Sequence, residues 1–541
     1  MLRNITKKIK NRIRKKYESG RTSKEENKFF KEIVKENGKK RNISKCINDN
    51  YRNILDAFKG TDDIKFREFT INSESGKRRK AFIVFIDGLA SGKVINESIV
   101  GPLISGISGQ TVFNLSESND EPINNSMISA GEIREVFTVE DAMLGCLDGD
   151  TVLFADGMES AIIIGSKGYE KRSINAPEDE VNVRGPKDSF VENLRDNTAM
   201  IRRKVKNNNL VFETVRLGSQ TKTPVTMAYI DGIAQNSLVE EVKRRLKCID
   251  IDGILDAGYI AQLIDDAPFS IFETVGSTER PDVASAKLLE GRIVIIVDGS
   301  PFVLTLPYLF IEAFQTPSDY YSKPAYSAFI RLFRIFAFII TILAPAIYVA
   351  ITTFHQEFLP SKLLITIAKA REGIPFSAFA EALIMLIIFE ILKEAGLRLP
   401  KSIGQTISIV GALVMGDAAV SAGIASASLV ITIAFAAVAG FVVSFLNDQV
   451  FILRIFFLVL SGLFGGYGIV FGLILLGVHM VSLKSFGRFY MTPMMPLISE
   501  DLKDGAVRAP LWLMRTRPAG FSVKNPVRES TPIPPESKEN G

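Results

Sequence analysis

Long apolar runs dominate the second half of the chain. Between Phe329 and Leu483, the run Ile335–Thr353 has no charged residue over 19 positions, and Ile403–Leu446 has only Asp417 over 44 positions. About 20 consecutive apolar residues cross a bilayer as a helix. The pattern therefore predicts one membrane crossing in the first run and two in the second.

Two carboxylates lie inside the apolar stretch between these runs. The segment Pro375–Leu397 is predicted to be a second helical span, interrupted by Glu381 and Glu390. An ionisable group at membrane depth costs ~2.5–3.5 kcal/mol on insertion scales and persists where it is paired or faces water or protein. The helical period places these two glutamates on opposite faces, so each needs its own partner on a neighbouring helix or subunit. Glu394 shares a face with Glu390 and is expected in a structural role at the membrane surface.

The last apolar stretch, Ile455–Leu483, is long for one crossing and contains six glycines. It either crosses once as a tilted helix or breaks near Gly465-Gly466 into a tight hairpin. Basic residues mark the cytoplasmic side of a membrane protein. They precede the first span, separate the second from the third, and recur in the tail after the last stretch. This distribution favours the hairpin, with five or six spans in total and both chain ends in the cytoplasm.

The first 320 residues resemble a soluble protein and repeat one local pattern. An apolar, β-rich run ends in Asp-Gly at 82–88, 151–157, 225–232 and 293–299. Asp-Gly after such a run favours a tight turn with positive φ, so each run is predicted to be a strand that enters a hairpin. The similar spacing of the four aspartates suggests related α+β subdomains, although the flanking sequences differ too much to form a repeat.

Two helices are predicted between these strands. The segment Asp188–Lys206 offers Asp188 or Ser189 as an N-cap and has a basic C-terminal end, and a second helix is predicted over Ser237–Cys248. The predicted fold is an α+β cytoplasmic N-terminal region of two subdomains, followed by an α-helical multi-pass membrane domain of five or six spans.

Composition divides the chain into five parts. These are a basic leader (1–45), α+β subdomain 1 (46–190), α+β subdomain 2 (191–320), a helical transmembrane domain (321–490) and a polar tail (491–541). The leader is expected either to contact an anionic membrane surface or to be a solvated segment, and no recognition fold for nucleic acid accompanies its charge. Three cysteines without a pairing pattern, and no apolar signal segment, place the N-terminal region in the cytoplasm.

The sequence predicts no enzyme, cofactor or metal site. The segment GLASGKV (88–94) imitates a phosphate-binding loop, but only three residues separate its glycines and Val94 replaces the hydroxyl that binds Mg²⁺. It is therefore predicted to be a turn. The two histidines, His355 and His479, have no second metal ligand nearby in the sequence.

The third span, Ile403–Gly423, is rich in small residues and is the candidate pore wall. Small residues allow close helix packing, which explains them without a pore. Small and polar positions also line a narrow path when several copies surround an axis, where a ring of Asp417 would select cations. The candidate pore or gating residues are Glu381, Glu390, Gln405, Gly411, Val414 and Asp417.

Several separated blocks of the sequence resemble one family. The blocks are REGIPFSAFAEALIMLIIFEILKEAGLRLPKSIGQTISIVGALVMGDAAVSAG (371–423), GRIVIIVDGSPFVLTLPYLFIEAFQTPSDYY (291–321), VRGPKDSFVENLRDNTAMIRRKV (183–205) and HMVSLKSFG (479–487). They resemble the spore germination receptor A-subunit family, the GerA family, over roughly residues 45–525. Where the family's intramembrane helix is expected to have a Met-Glu pair, this chain has Met385-Leu386.

The resemblance implies an A subunit of a nutrient receptor in the inner membrane of the bacterial spore, with a permease-like B subunit and a lipoprotein C subunit. Such A subunits are expected to oligomerise around an ion path, which makes a nutrient-gated channel the first hypothesis. A non-conducting transducer or scaffold that couples a nutrient-binding partner to other germination proteins is the alternative. The cytoplasmic domain is expected to hold the oligomer together, unless its arginines only make local ion pairs. The candidate interface residues are Arg184, Arg195, Arg202 and Arg203.

Overall fold

The computed structural model describes residues 41–72, 78–105, 132–168, 177, 180, 184–398, 414–518, 521 and 525–528. Internal contacts divide the chain into two compact units. The first unit comprises residues 1–170 and 206–208, and the second comprises 171–205 and 209–541. Most of the predicted basic leader and of the predicted third span lies outside the described residues.

The first unit is built around a five-stranded antiparallel sheet. Its strands are β1 (Ile64–Asn72), β2 (Arg78–Ile86), β3 (Ile133–Val136), β4 (Thr151–Ala155) and β5 (Ala161–Ile164). They pair in the order β1-β2-β4-β5-β3. Its helices are α1 (Ile47–Ala57), α2 (Val139–Leu147) and an irregular segment made of Gly92–Val94, the π-helical turn Ile95–Val100 and Gly101–Ser105.

Both faces of this first sheet are covered, as the alternation of side chains along β2 requires. Ile83 belongs to an apolar cluster with Ile99 of the irregular helical segment. On the opposite face, Phe82 stacks on Phe154 with 4.8 Å between ring centroids, and Tyr51 of α1 lies 5.4 Å from Phe82. The run before each Asp-Gly pair is therefore apolar throughout because it is buried on two sides.

The second unit begins with a sheet of the same topology. Its strands are β6 (Leu210–Leu217), β7 (Thr223–Ile230), β8 (Gly276–Thr278), β9 (Ile293–Val297) and β10 (Val303–Leu306). They pair in the order β6-β7-β9-β10-β8, which repeats the first sheet strand by strand. The helices that flank the sheet are α3 (Leu194–Lys204), α4 (Asn236–Lys247), α5 (Ala257–Ile264) and α6 (Pro281–Leu289).

Two apolar clusters separate the layers of this second sheet. Ile295 of β9 packs with α4 and α5, while its neighbour Ile296 packs with α3 and α6. Both side chains are fully buried. Burying the side chains of both faces is worth ~25 cal/mol per Å² of apolar area removed from water, which is what holds the helices on the sheet.

In each sheet, the aspartate of one Asp-Gly pair also caps a helix. In the first unit, the Asp156 carboxylate accepts the amide of Ile47, the first residue of α1, at 3.3 Å. In the second unit, Asp298 accepts the amide of Leu194, the first residue of α3, at 3.1 Å. A carboxylate that satisfies a free amide at a helix start is a stabilising cap. The aspartate therefore fixes a helix on its sheet in addition to starting a turn.

A buried asparagine repeats in the same way. The Asn50 side chain accepts the Ser44 amide at 2.8 Å and donates to its carbonyl at 2.6 Å. Asn197 makes the same pair of bonds with Val191, at 2.8 and 2.5 Å. Matched topology and matched polar contacts indicate that the two α+β folds are related copies of one design.

The four Asp-Gly sites lead to two kinds of connection. All four glycines have positive φ, between 81° and 91°, as the turn prediction requires. The strands β4 and β9 continue into hairpins with β5 and β10, as predicted. The prediction is wrong for β2 and β7, because each of these strands leads into a helical segment that covers the sheet.

The start of helix α3 also differs from its prediction. The helix begins at Leu194, and its N-cap is Asn193, whose side chain accepts the amide of Arg195 at 2.9 Å. The predicted caps, Asp188 and Ser189, do not begin the helix because the residues before it make other contacts. The amide of Phe190 donates to the carbonyl of Glu279 at 2.7 Å, and Asp188 pairs with the far end of the helix through Lys204 at 2.7 Å.

The remainder of the second unit is helical. Its long elements are α7 (Pro324–Thr353), α8 (Ser361–Ala370), α9 (Ala378–Arg398), α10 (Ala427–Phe441) and α11 (Asn447–Ser482), after the short turns Phe310–Phe314 and Pro317–Tyr321. The helices α7 and α11 are long and apolar enough to cross a membrane. Outward-facing Ile431, Phe435 and Phe471 are 69%, 58% and 55% exposed, and an apolar surface of this kind marks contact with a membrane or a partner.

Helix α11 folds back on itself at Gly465, which has φ 59° and ψ −137°. A side-chain carbon at Gly472 would lie 2.9 Å from the ring of Phe457, although a straight helix separates these residues by about 22 Å. The break lies at the predicted Gly465-Gly466 position. Its tip meets the end of α7, because a carbon at Gly465 would lie 2.8 Å from Phe354.

The other ends of α7 and α11 lie beside the second sheet. Phe314 packs on Phe338 of α7 with 5.5 Å between centroids, in a cluster that also holds Leu453 of α11. After α11, the strands β11 (Lys484–Ser485) and β12 (Arg488–Phe489) return to the sheet, and Ser485 donates to the carbonyl of Thr274 at 2.6 Å. The segment that follows α11 is therefore on the same side as the second sheet.

Candidate functional site

Glu381 is fully buried at the start of α9, where it serves two helices. Its carboxylate accepts the amide and, at 2.5 Å, the hydroxyl of Ser426, the N-cap residue of α10. It also lies in the first turn of its own helix. Two positive helix ends and two donors therefore stabilise one negative charge at this position.

A basic side chain and two hydroxyls complete this site. The Arg371 Nε lies 3.6 Å from the second Glu381 oxygen, and neither atom has a hydrogen-bond partner in the described part of the chain. Tyr348 of α7 contacts Ser426 at 3.1 Å and Ser428 at 2.9 Å. We call these five residues the glutamate cluster. It joins α7, α9 and α10 at the end of the helices away from the second sheet.

A buried arginine braces three helices at a proline. Pro345 lies inside α7 and has no amide to donate, which leaves the carbonyl of Thr341 without its helical partner. The Nε of Arg454, on α11, donates to that carbonyl at 2.9 Å, and its guanidinium also reaches the carbonyl of Ala436 on α10 at 3.2 Å. Arg454 thus supplies the hydrogen bond that the proline removes.

Glu390 lies in a different place from Glu381. It pairs with Lys393 on its own helix at 3.0 Å, and the two line a small pocket together with Asn447 and Arg454. In the described residues, Glu390 therefore makes its closest ion pair with Lys393 on its own helix. Arg454, on the neighbouring helix α11, lines the same pocket. Glu394 pairs with Arg398 at 2.7 Å on the surface.

Buried charges also fix the junction between the helices and the second sheet. Asp319 is almost fully buried and binds Arg331 at 3.3 Å and Arg334 at 2.9 Å. Arg331, itself fully buried, reaches Asp504 of the C-terminal segment at 3.0 Å. The basic residues that the sequence marks as flanking the first span therefore hold the C-terminal segment against it.

The candidate pore residues are only partly described. Gln405 and Gly411 lie outside the described residues. Val414 and Asp417 lie on a helical stretch at 414–421, and both are exposed in the single chain. The opposite face of this stretch holds buried Ala419, which packs in a cluster with α9 and α10.

The candidate interface arginines divide into two groups. Arg184, Arg195 and Arg203 are exposed. Arg202 is fully buried, with its guanidinium 4.9 Å from the ring centre of Phe212. The prediction that Arg202 belongs to the subunit interface is therefore wrong. Arg202 lies three positions after buried Ala199, on the face of α3 that packs on the sheet.

Comparison with known proteins identifies the family of the chain. The family described as Bacillus/Clostridium GerA spore germination protein matches residues 52–520. The chain belongs to the GerA family. The matched range of this GerA chain includes both five-stranded sheets and the apolar helices.

Individual GerA relatives match over most of their length. Spore germination protein KA of Bacillus subtilis (strain 168) is 41% identical over 90% of this chain and 89% of its own. Spore germination protein GerLA of Bacillus cereus is 37% identical over 90% and 97%. The uncharacterized membrane protein YfkQ of Bacillus subtilis (strain 168) is 39% identical over 93% and 97%.

One solved structure also matches this GerA chain. The N-terminal domain of the A subunit of the Bacillus megaterium spore germinant receptor GerK3 is 31% identical, with a TM-score of 0.37. The match covers 50% of this chain and 98% of that domain.

Two site residues of this GerA chain were missed from the sequence. Ser426 directly precedes an apolar helix, which is the signature of an N-cap, but nothing in the sequence assigns Glu381 as its acceptor. Arg454 is the second missed residue, because a basic residue beside an apolar run predicts only the orientation of the membrane helices. Pro345 within an apolar run signals a free carbonyl, yet which donor reaches it depends on the packing of α7 against α11.

Proposed function

We propose that this chain is the A subunit of a nutrient germinant receptor in the inner membrane of the bacterial spore. In this proposal several copies assemble into a nutrient-gated ion channel that starts germination. Membership of the GerA family supports the role in germination, and the apolar helices with buried charges support the membrane location. No enzyme activity is part of the proposal.

Exposed Asp417 is the observation that carries the channel hypothesis. It lies on an otherwise apolar helical stretch. Among the described residues, no lysine, arginine or histidine nitrogen lies within 4.0 Å of its carboxylate. Val414, three positions earlier, shares its exposed face. A carboxylate at membrane depth needs water or a partner. A ring of these residues around a water-filled axis between copies would satisfy that need and favour cations.

The proposed topology has six crossings with both chain ends on the cytoplasmic side. The start of α7 and the segment after α11 lie beside the second sheet, while Phe354 and Gly465 meet at the other end. The α11 arms supply the last two crossings. The proposed domains follow the prediction of two subdomains, at 46–190 and 191–320, and a transmembrane domain at 321–490, except that residues 171–190 belong to the second compact unit.

The proposed partners are a permease-like B subunit, a lipoprotein C subunit and further copies of this chain. Exposed Arg184, Arg195 and Arg203 remain the candidates for contacts between copies. One chain offers too few helices to enclose a wide aqueous path, so conduction requires an oligomer.

A non-conducting transducer is the alternative, and one observation favours it. Buried Glu381 accepts from Ser426 and buried Arg454 donates to the carbonyl of Thr341, so both charges link helices of the same chain, an arrangement that suits a rigid relay. In that case Asp417 would contact a partner subunit instead of a path for ions.

Reconstitution separates the two functions. Proteoliposomes would contain this chain alone, or this chain with its B and C partners, and nutrient-dependent cation flux would be measured. We expect flux that requires nutrient and partners and falls about tenfold in Asp417→Asn, with Glu394→Gln unchanged as the matched surface control. Assembled complexes that support germination in spores but pass no cations would favour the transducer.

Glu390 is predicted to affect gating more than folding. Glu390→Gln removes the charge that faces Lys393 and Arg454 but keeps a polar group, so we expect altered nutrient response at normal protein level. Glu390→Leu leaves Lys393 without its partner, at a cost of about 1–3 kcal/mol, and should lower the assembled level. Spore germination rates and immunoblots of membranes measure the two effects. Normal response and assembly in both variants would remove Glu390 from the mechanism.

A further inference from the structure

A pocket lies where the C-terminal segment packs on the second unit. Its walls come from the residues before β9, from the segment after β10, from β12 and from residues between 492 and 528, and its cavity volume is about 70 Å³. Since one water molecule needs ~10–15 Å³ by the same measure, the pocket has room for a small anion. Four basic and four acidic side chains line it. We call it the junction pocket.

The acidic residues at the inner wall are already neutralised. Glu312 binds both Arg292 and, at 2.6 Å, Lys287. Burial alone would raise the pKa of Glu312, but these two cations hold it below its usual value. Glu290 pairs with Arg292 at 3.2 Å. The charges of Glu312 and Glu290 are therefore balanced by Arg292 and Lys287, not by the other cations of the pocket.

Asp504, a third acid of the lining, is also committed. It binds Arg331 at 3.0 Å and accepts the hydroxyl of Tyr320 at 2.8 Å. Arg331 and Lys287 neutralise two of the lining acids from outside the pocket. With the fourth lining acid, Asp501, counted against one of the lining cations, the lining keeps an excess of two positive charges.

That excess is concentrated on Arg488, Lys503 and Arg528. In the part of the chain that the structure describes, no carboxylate oxygen lies within 4.0 Å of any of the three. Arg488 donates to the neutral Gln235 side chain, and Lys503 donates to the Thr516 hydroxyl. Arg488 and Lys503 are half-buried, and this burial lowers the pKa of both, whereas Arg528 is exposed.

Three cations without a nearby carboxylate, two of them half-buried, line one pocket and favour an anion there. We propose that the junction pocket binds a phosphate group, held between Arg488 of β12 and Lys503 with Arg528 of the C-terminal segment. Phosphate carries enough charge and acceptor oxygens to satisfy several cations at once. The site is new and does not depend on ion conduction by the chain.

The position of the pocket favours the headgroup of an anionic lipid as the source of that phosphate. Its wall residues Leu309 and Ile311 belong to the same apolar cluster as Phe338 of α7 and Leu483 after α11. The pocket therefore lies at the sheet-side end of the apolar helices, and in the proposed membrane topology, on which this step rests, lipid headgroups lie at that end. Basic pockets at this depth bind anionic headgroups.

The single tryptophan of the chain gives a local probe. Trp512 is 40% exposed and lies two residues before Met514, which lines the pocket. The full chain in neutral detergent would be titrated with inorganic phosphate at constant ionic strength. Separate titrations would use mixed micelles of phosphatidylglycerol, with phosphatidylcholine as the control lipid. We expect a saturable change in Trp512 emission with phosphatidylglycerol.

Matched variants decide the assignment. Lys503→Gln and Arg488→Gln should each weaken binding at least tenfold, while Lys247→Gln, an exposed cation on α4 outside the pocket, should leave it unchanged. Without ligand, Lys503→Gln should unfold at the same temperature or a higher one, because it removes an unpaired cation. Saturation by phosphate alone would assign the site to a free anion. No response to either ligand, or equal binding by all variants, would overturn the proposal.

Discussion

Replacement of Glu381 by leucine is expected to lower the free energy of unfolding by about 3 kcal/mol. The side chain is fully buried, and its loss leaves the amide and hydroxyl of Ser426 without their acceptor. An unsatisfied buried donor costs about 1–3 kcal/mol, and loss of a helix cap costs about 0.5–2 kcal/mol. Arg371 also loses the carboxylate that lies 3.6 Å from its Nε. The measurement is the thermal unfolding midpoint of the purified chain in detergent.

Two variants give this prediction its control. Glu381→Gln keeps an acceptor for Ser426 and loses only the charge, so we expect a smaller loss of about 1 kcal/mol. Glu394→Leu removes a carboxylate from the same helix, but its pair with Arg398 is exposed and worth ~0–1 kcal/mol. If Glu381→Leu were no less stable than Glu394→Leu, the glutamate cluster would not hold the helices together.

A double-mutant cycle with Arg371 separates the ion pair from the cap. The two side chains lie 3.6 Å apart without a hydrogen bond between them. If the pair matters, Glu381→Gln and Arg371→Gln together should cost less than the two single changes added. Purely additive losses would assign the effect of Glu381 to Ser426 alone.

Local patterns in the sequence were enough to predict four of the strands, β2, β4, β7 and β9. Each run before an Asp-Gly pair is a strand because β-branched residues buried on both faces leave no other regular structure. The pattern did not distinguish a hairpin from a strand-to-helix connection, as β2 and β7 show. That choice depends on which helix covers the sheet, which is a long-range property.

Polar residues were harder to assign, because their partners are distant in sequence. Asp156 and Asp298 looked like turn residues, yet each caps a helix more than 100 positions earlier. Glu381 and Ser426 are 45 positions apart. The helical period correctly separated Glu381 from Glu390, but it carries no information on which neighbouring helix supplies a donor. Arg202 illustrates the same limit, since its charge suggested the surface and its packing over Phe212 buries it.

The largest conformational effect is expected at Gly465. Its φ of 59° and ψ of −137° suit glycine, and other residues there cost about 1–3 kcal/mol. The added carbon of Gly465→Ala would also lie 2.8 Å from Phe354, so the tip of the hairpin must shift. We expect a total loss of about 3 kcal/mol and a fall in the membrane level of the protein. Thermal unfolding and immunoblots of membranes measure both.

Gly477→Ala is the matched control, because the same atom added there meets nothing within 4 Å in a regular part of α11. It should be neutral or stabilise the helix by up to about 1 kcal/mol. The Gly465 variant cannot relieve the strain by opening the hairpin into one straight helix. Such a helix of 36 residues would be about 54 Å long, much longer than the hydrocarbon core of a bilayer, which is about 30 Å thick. A cysteine placed in the tail and labelled from either side of the membrane reports the outcome. If Gly465→Ala matched Gly477→Ala in stability, or if the tail of the unaltered chain were labelled on the side opposite the second sheet, the hairpin and the proposed six crossings would be wrong.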